Sequence, residues 1–281
     1  MLENKQILIT GGAGSIGSEL VRQLIGKNRI FVIDNNETAL FDMVEELKLK
    51  GMDIEGRVGD VRQKGVFEDM VHTWGIPSIV FHAAALKHVT PSAMAREEYI
   101  TTNIHGTLNV IRFANRYKAH LVNISTDKVV NPNSIMAATK KVAEIAVRDA
   151  GQVSVRFGNV MGSRGSVLEI WQRQMDKNEA LTVTDEDMER FMMTIPDAVK
   201  LVIKAATIGK AGSILILDMG KRVNILSLAK DILKKSGKKT ANGIRMIGTR
   251  PGETTIEVLM TDEEAQRATK EGEFWIIPPG L

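Results

Sequence analysis

The chain has 281 residues and a formal net charge of +3, enough length for one large domain or two that share a core. It contains no cysteine, which excludes disulfides, thiolate metal sites and cysteine nucleophiles. The densest basic cluster, Lys234-Lys235 with Lys238-Lys239, reads as a solvated helix end rather than a nucleic-acid or membrane patch. Met1 to Lys5 runs straight into a short apolar strand with no signal-peptide core, and no apolar run is long enough to cross a bilayer. The expectation is a cytoplasmic protein without a membrane span and without a nucleic-acid partner.

Short apolar runs alternate with longer amphipathic ones through the first half. Strands are expected at Gln6–Thr10, Arg29–Ile33, Asp53–Val58, Ser78–His82, His120–Ile124 and Val153–Phe157. Helices are expected between them, at Ser15–Ile25, Glu37–Lys50, Gly65–Trp74, Ser92–Tyr117 and Ser134–Asp149. Strict alternation predicts an α/β fold with a doubly wound parallel sheet. After Phe157 the rhythm breaks at Gly158, Gly162 and Gly165. An amphipathic stretch follows at Val167–Met175, then a helical segment at Arg190–Thr207 with Pro196 in its first turn. A strand at Ser213–Leu217, a helix at Ser227–Ser236 and a loop at Gly248–Glu253 complete the pattern. The expected organisation is a nucleotide-binding domain over residues 1–158, rejoined by 189–210. Residues 159–188 and 211–281 form a smaller, discontinuous substrate-binding lid.

The first strand runs into Gly11-Gly-Ala-Gly-Ser-Ile-Gly17 and then a helix. A sharp turn, close approach of a phosphate to the backbone, and tight helix–strand packing each require a missing side chain, here at Gly11, Gly14 and Gly17. The N–H groups at Ser15 and Ile16 open the helix and offer partial positive charge to a pyrophosphate. This is the Rossmann-type dinucleotide turn in its required context. The second strand leads into Asp34-Asn35, where an acid can accept hydrogen bonds from the adenosine ribose. No arginine follows directly, so NAD is favoured and NADP remains possible. Asp60-Val61 after the third strand, and Ala83-Ala84-Ala85 after the fourth, complete the expected cofactor contacts.

The glycine spacing suggests an extended short-chain dehydrogenase. Such enzymes place a tyrosine four residues before a lysine, and here Lys140 is preceded at that position by Met136, whose thioether cannot take a proton. The fifth strand leads into Ser125-Thr126-Asp127-Lys128, an acid beside a lysine at the ligand-facing end of the sheet. By itself that tetrapeptide reads rather as a surface ion pair plus a turn. No His/Asp/Glu group has metal-ligand spacing.

These pieces occur in order with His82-Ala-Ala-Ala-Leu-Lys-His-Val89, Ser125-Thr-Asp-Lys-Val-Val-Asn-Pro132, Met136-Ala-Ala-Thr-Lys140, Arg156-Phe-Gly-Asn-Val-Met-Gly-Ser-Arg-Gly-Ser166, Arg190-Phe-Met-Met-Thr-Ile-Pro196 and Arg250-Pro-Gly-Glu253. The chain resembles the UDP-N-acetylglucosamine 4,6-dehydratases of the capsular polysaccharide biosynthesis family over nearly its whole length. It resembles in particular the branch that carries methionine in place of tyrosine and retains the C5 configuration. Ala137 stands where that family has glycine, and Thr254-Thr255 replaces its Lys-Leu.

The resemblance implies an NAD-dependent, redox-neutral dehydration to a UDP 4-keto-6-deoxy sugar. Thr126 would orient the C4 hydroxyl, Asp127 would protonate the departing C6 hydroxyl, and Lys128 would take the C5 proton. Lys140 would bond the nicotinamide ribose. Lys87, Asn159, Arg164, Arg190, Arg250 and Glu253 are candidate substrate contacts, the arginines through their fit to phosphate oxygens. A homo-oligomer built on the Ser92–Tyr117 and Ser134–Asp149 helices is a further family expectation. Two other readings stand beside it: a nucleotide-sugar epimerase on the same scaffold (or a C5-inverting dehydratase), and a regulatory dinucleotide binder that has lost its tyrosine.

Overall fold

A computed structural model describes residues 2–237 and 243–279, so Lys238 and Lys239 lie outside the described residues. Six strands fall where apolar runs predict them: β1 (Gln6–Thr10), β2 (Arg29–Asp34), β3 (Ile54–Val58), β4 (Ile79–His82), β5 (His120–Ile124) and β6 (Val153–Arg156). The first three crossover helices follow the expected periodicity: α1 (Ser15–Leu24), α2 (Glu37–Leu49) and α3 (Gly65–Trp74). The sheet has nine strands, ordered Thr269–Glu271, Phe274–Ile277, Ile214–Leu217, β6, β5, β4, β1, β2, β3. From Ile214–Leu217 to β3 every pairing is parallel, and the last two strands are antiparallel. The strand order reverses between β1 and β4, and a ligand crevice forms outside the carboxyl ends at such a reversal.

Both faces of the sheet are buried, which is why its strands read as continuous apolar runs. Ile7 and Ile9 of β1 and Val32 of β2 face α1, α2 and the helix Ile195–Ile208. Leu8, Phe31 and Ile33 point the other way, onto α3 and the helix Thr107–Tyr117. A separate cluster around Trp171, Leu181, Val183 and Ile225 forms the heart of the lid. There Trp171 donates its indole N–H to the Thr182 carbonyl at 2.8 Å.

Three differences from the sequence reading matter for the site. The single helix expected over Ser92–Tyr117 is broken. Short turns at Val89–Ser92 and Arg96–Tyr99 lead into a π-helical stretch, Ile100–Gly106, and then into Thr107–Tyr117. Asn103 in the wide turn ties it to the loop after β4. Its amide accepts from the Leu86 N–H at 2.8 Å and donates to the Leu86 carbonyl at 3.0 Å. Second, helix does not begin at Arg190. Glu189–Arg190 and Met192–Thr194 are extended, and the helix starts at Ile195, where the Thr194 hydroxyl caps the Asp197 N–H at 3.3 Å. Third, residues 211–281 do not all belong to the lid, because Ile214–Leu217, Thr269–Glu271 and Phe274–Ile277 extend the main sheet.

The lid proper is held by small ladders. Asn159–Met161 pairs with Met192–Thr194, Glu189–Arg190 with Val223–Asn224, and Leu181–Val183 with Ile244–Met246. Among the described residues no helix is long and apolar enough to cross a membrane.

Candidate active site

A cleft of about 640 Å³ lies between the glycine turn, the ends of β4–β6 and the lid, a volume typical of small-molecule sites. At its floor the chain turns at Gly11, whose φ is +69°. A Cβ there would come within 2.6 Å of the Ala84 N–H nitrogen. One at Gly17 would fall 2.6 Å from the Gly12 Cα and closer still to the Gly11 carbonyl, so both positions admit only glycine. Gly14 is the N-cap of α1 and makes no side-chain cap, whereas side chains cap α2, Ile135–Asp149, Ile195–Ile208 and Ile225–Ser236. The uncapped first turn of α1, at Ser15 and Ile16, faces the cleft and offers N–H groups to an anion. A pyrophosphate fits this cradle.

The neighbouring expected cofactor residues are placed as follows. Asp34 is buried, and its carboxylate accepts from the N–H groups of Ala13 and Asn36, both at 2.9 Å, which fixes the glycine turn to the end of β2. Asn35 is exposed beside it. Asp60 is bound by the Arg62 guanidinium at 2.6 Å. Burial opposes its ionisation, but the Arg62 hydrogen bonds outweigh burial and hold the carboxyl below the usual range. Val61 is buried beneath Gly106. Ala83 and Ala85 line the cleft, and Ala84 backs Gly11.

His82 ends β4, fully buried between two threonines. The Thr107 hydroxyl donates to the Asn103 carbonyl at 2.6 Å, so the His82 Nε2–H must donate to Thr107 Oγ1 at 3.0 Å. Nδ1 therefore accepts from the Thr10 hydroxyl at 2.7 Å. Burial, reinforced by Lys140, pushes this imidazole down to about 3 and keeps it neutral. His82 ties β1, β4 and the helix behind them into one rigid floor.

The reactive end of the cleft comes from β5 and the helix Ile135–Asp149. Thr126, Lys128, Met136 and Lys140 all line it. Lys140 is buried and donates to the Ile124 carbonyl. Burial, partly offset by Glu144, lowers its pKa to about 8. Asp127 is buried behind the lining. Its Oδ1 accepts from the Thr126 hydroxyl and from Lys128 Nζ, both at 2.9 Å. Its Oδ2 is buried beside Gly158 with no hydrogen-bond partner among the described residues. The groups that can touch a ligand are thus the Thr126 hydroxyl and the Lys128 ammonium, with Asp127 acting behind them. Lys128 also donates to Asn159 Oδ1 at 3.1 Å and lies 3.9 Å from Glu257.

The remaining expected contacts, Lys87, Asn159, Arg164, Arg190, Arg250 and Glu253, all line the cleft, but their guanidinium groups are used differently. Arg190 is buried and donates to the carbonyls of Glu189, Thr254 and Thr255 at 2.7–2.9 Å, so it fixes backbone. Arg250 and Glu253 close a turn in which the Arg250 N–H donates to the Glu253 carboxylate at 3.0 Å. Arg164 lies against the glycine turn, its guanidinium donating to the Ala13 carbonyl. Lys87 reaches Ser163 at 3.3 Å.

Sequence reasoning missed Asn103, Ser163 and Glu257. It also missed a buried network in which Arg156 bonds Glu144 and Glu264 at 2.6–3.0 Å, with Ser125 donating to Glu144 at 2.6 Å. Each partner is remote in sequence, and only the Thr261-x-x-Glu264 capping box was visible as a pattern.

The nine-stranded, mostly parallel sheet and the glycine turn define a Rossmann-type scaffold. The family described as Polysaccharide biosynthesis protein matches residues 7–279, and the chain belongs to that family. It is 40% identical to capsular polysaccharide biosynthesis protein CapD of Staphylococcus aureus, over 94% of this chain and 46% of CapD. It thus spans about half the length of that relative. It is 34% identical to a UDP-glucose 4-epimerase of Rickettsia canadensis, over 99% of this chain and 84% of the relative. The solved structure of Pen from Bacillus thuringiensis superposes with a TM-score of 0.90 at 36% identity, covering 99% of this chain and 89% of Pen. Solved chains at 16–21% identity, several determined with NAD bound, share the fold.

Proposed function

We propose that this chain is an NAD-dependent 4,6-dehydratase of a UDP-linked hexose, UDP-N-acetylglucosamine being the substrate its motifs favour, and that it retains configuration at C5. The observation that carries the reading is the Thr126–Asp127–Lys128 cluster at the cleft, opposite a methionine where a tyrosine would serve simple alcohol oxidation. The glycine turn and the free N–H groups of α1 hold the dinucleotide, and Lys140 adds a cation beside them. When bound, the dinucleotide supplies a reversible hydride sink for the sugar.

Oxidation at C4 acidifies the C5 proton, and elimination then needs one group to take a proton and one to give one. Asp127 and Lys128, joined at 2.9 Å, divide the two functions: Lys128, neutral for that step, takes the C5 proton, and Asp127 returns the proton it took from the C4 hydroxyl to the departing C6 hydroxyl through the Thr126 hydroxyl. The Thr126 hydroxyl, bonded to Asp127, offers a two-step path from the sugar C4 hydroxyl to the carboxylate, which relieves Met136 of a role it cannot fill. Asn159 orients Lys128.

A second reading, C4 epimerisation, is favoured by the similarity to proteins named UDP-glucose 4-epimerase. Simple epimerisation has no step for an acid–lysine pair. Mass spectrometry of UDP-N-acetylglucosamine incubated with the protein decides between them. Dehydration removes one water from the sugar, and a product of unchanged mass contradicts the proposal.

A further inference from the structure

The lid turn Ser163-Arg164-Gly165 is built onto the glycine turn from outside the nucleotide-binding half. The Arg164 N–H donates to the Ser15 hydroxyl at 3.0 Å, and the Arg164 guanidinium donates to the Ala13 carbonyl. These two contacts cross 149 and 151 residues of sequence and meet the turn on both sides of Gly14. Gly165 has a φ of +71°, and a Cβ there would sit 2.5 Å from the His88 ring, so the turn is seated against the loop that follows β4 as well. Lys87 reaches the same turn through Ser163.

Charge is unbalanced at this seam. Among the described residues neither Lys87 nor Arg164 forms a salt bridge with a carboxylate, whereas Arg173, one helical turn beyond Glu169, pairs with that acid. The Lys87 ammonium is pushed below its ordinary range, first by burial and then by Arg164, against the pull of Glu169. Glu169 is the acid nearest this pair, and its carboxylate is engaged by the Gly165 N–H and by Arg173, so the two cations beside the uncapped helix N–H groups favour an anion.

We infer that Arg164 is a dinucleotide residue supplied by the lid: it bonds the pyrophosphate of the cofactor, not the diphosphate of the sugar nucleotide, and so latches the cofactor in place. The inference rests on the cofactor assignment proposed above. A latch suits a redox-neutral cycle, because a cofactor that is regenerated within each turnover has no need to leave. The guanidinium also fits the task better than an ammonium, since its fork can hold the Ala13 carbonyl and a phosphate oxygen together.

The test compares wild-type protein with Arg164→Ala and Arg164→Lys for NAD retention through dialysis and for UDP affinity by calorimetry. Arg164→Ala should lose NAD at least about tenfold faster, as expected for a lost charge-assisted hydrogen bond, while UDP affinity stays within about twofold. Arg164→Lys should recover only part of the retention. Unchanged melting temperatures of the apo-proteins confirm that the variants fold; a variant that does not fold is replaced in the comparison by Arg164→Lys. UDP affinity that falls tenfold with NAD retention unchanged overturns the inference, as does no change in either. Wild-type protein that binds no NAD overturns the cofactor assignment as well, and that result is distinct from the other two.

Discussion

Two charged clusters flank the ends of β5 and β6, and they are built in opposite ways. In the first, Arg156 is fully buried between Glu144 and Glu264, with the Leu259 carbonyl completing its partners and the Ser125 hydroxyl donating to Glu144. Burial opposes the charge on Arg156, and the two carboxylates more than offset it, raising its pKa. In the second, Asp127 shares one oxygen between Thr126 and Lys128 and leaves the other without a partner among the described residues, while Lys128 faces the cleft. One cluster is closed and the other is open. A closed network ties elements together: here it joins β6, the helix Ile135–Asp149 and the C-terminal helix Asp262–Arg267. An open one keeps hydrogen-bonding capacity for a reaction. The difference is a matter of partners and not of residue type, since both clusters pair acids with a base.

The contrast predicts different kinds of damage. Arg156→Met strands two carboxylates in the interior and should cost about 3–5 kcal/mol of stability, measured by urea denaturation. A loss below about 1 kcal/mol would show that the network is not closed. Lys128→Ala should lower turnover by about a hundredfold or more with NAD still bound, and its melting temperature should fall less than that of the Arg156 variant. Wild-type-like turnover removes Lys128 from the mechanism.

Lys140 sharpens the comparison, because it lies between the clusters. Its folded pKa, about 8, is below that of an unfolded lysine. The unfolded chain therefore binds more protons between the two values, and this group's contribution to stability rises with pH across that window. Its ammonium is lost over the same range, so turnover should fall as pH rises past about 8 while the protein stays folded. A rate profile flat to pH 10 contradicts a cationic role. The smallest effect is expected at Ser125→Ala. It removes the 2.6 Å hydrogen bond to Glu144 at the edge of the closed cluster and should cost about 1–3 kcal/mol, with turnover nearly intact.

The six parallel strands were legible because each is a short apolar run buried on both faces and bounded by turn residues. The glycine turn was legible because its geometry forbids side chains at fixed spacing. Phe274–Ile277 was not read as a strand: four residues with no flanking repeat acquire their partner, Ile214–Leu217, only through a long-range antiparallel pairing. The break before Thr107–Tyr117 escaped because apolar periodicity runs across it, and the tie from the Asn103 amide to the backbone at Leu86 spans residues remote in sequence. At the site, the strand end pointed to Ser125-Thr126-Asp127-Lys128, and the family resemblance gave Thr126, Lys128 and Lys140 their expected roles. The withdrawal of Asp127 behind Thr126, the approach of Glu257 to Lys128 and the attachment of Arg164 to the glycine turn depend on tertiary placement that no local spacing encodes.

The most direct test of the open cluster's role follows the protein with UDP-N-acetylglucosamine in deuterated water by NMR. The account predicts a UDP 4-keto-6-deoxy sugar that carries deuterium at C5 with the original configuration. A C4 epimer retaining its C6 hydroxyl, or an unchanged substrate in the presence of bound NAD, contradicts it.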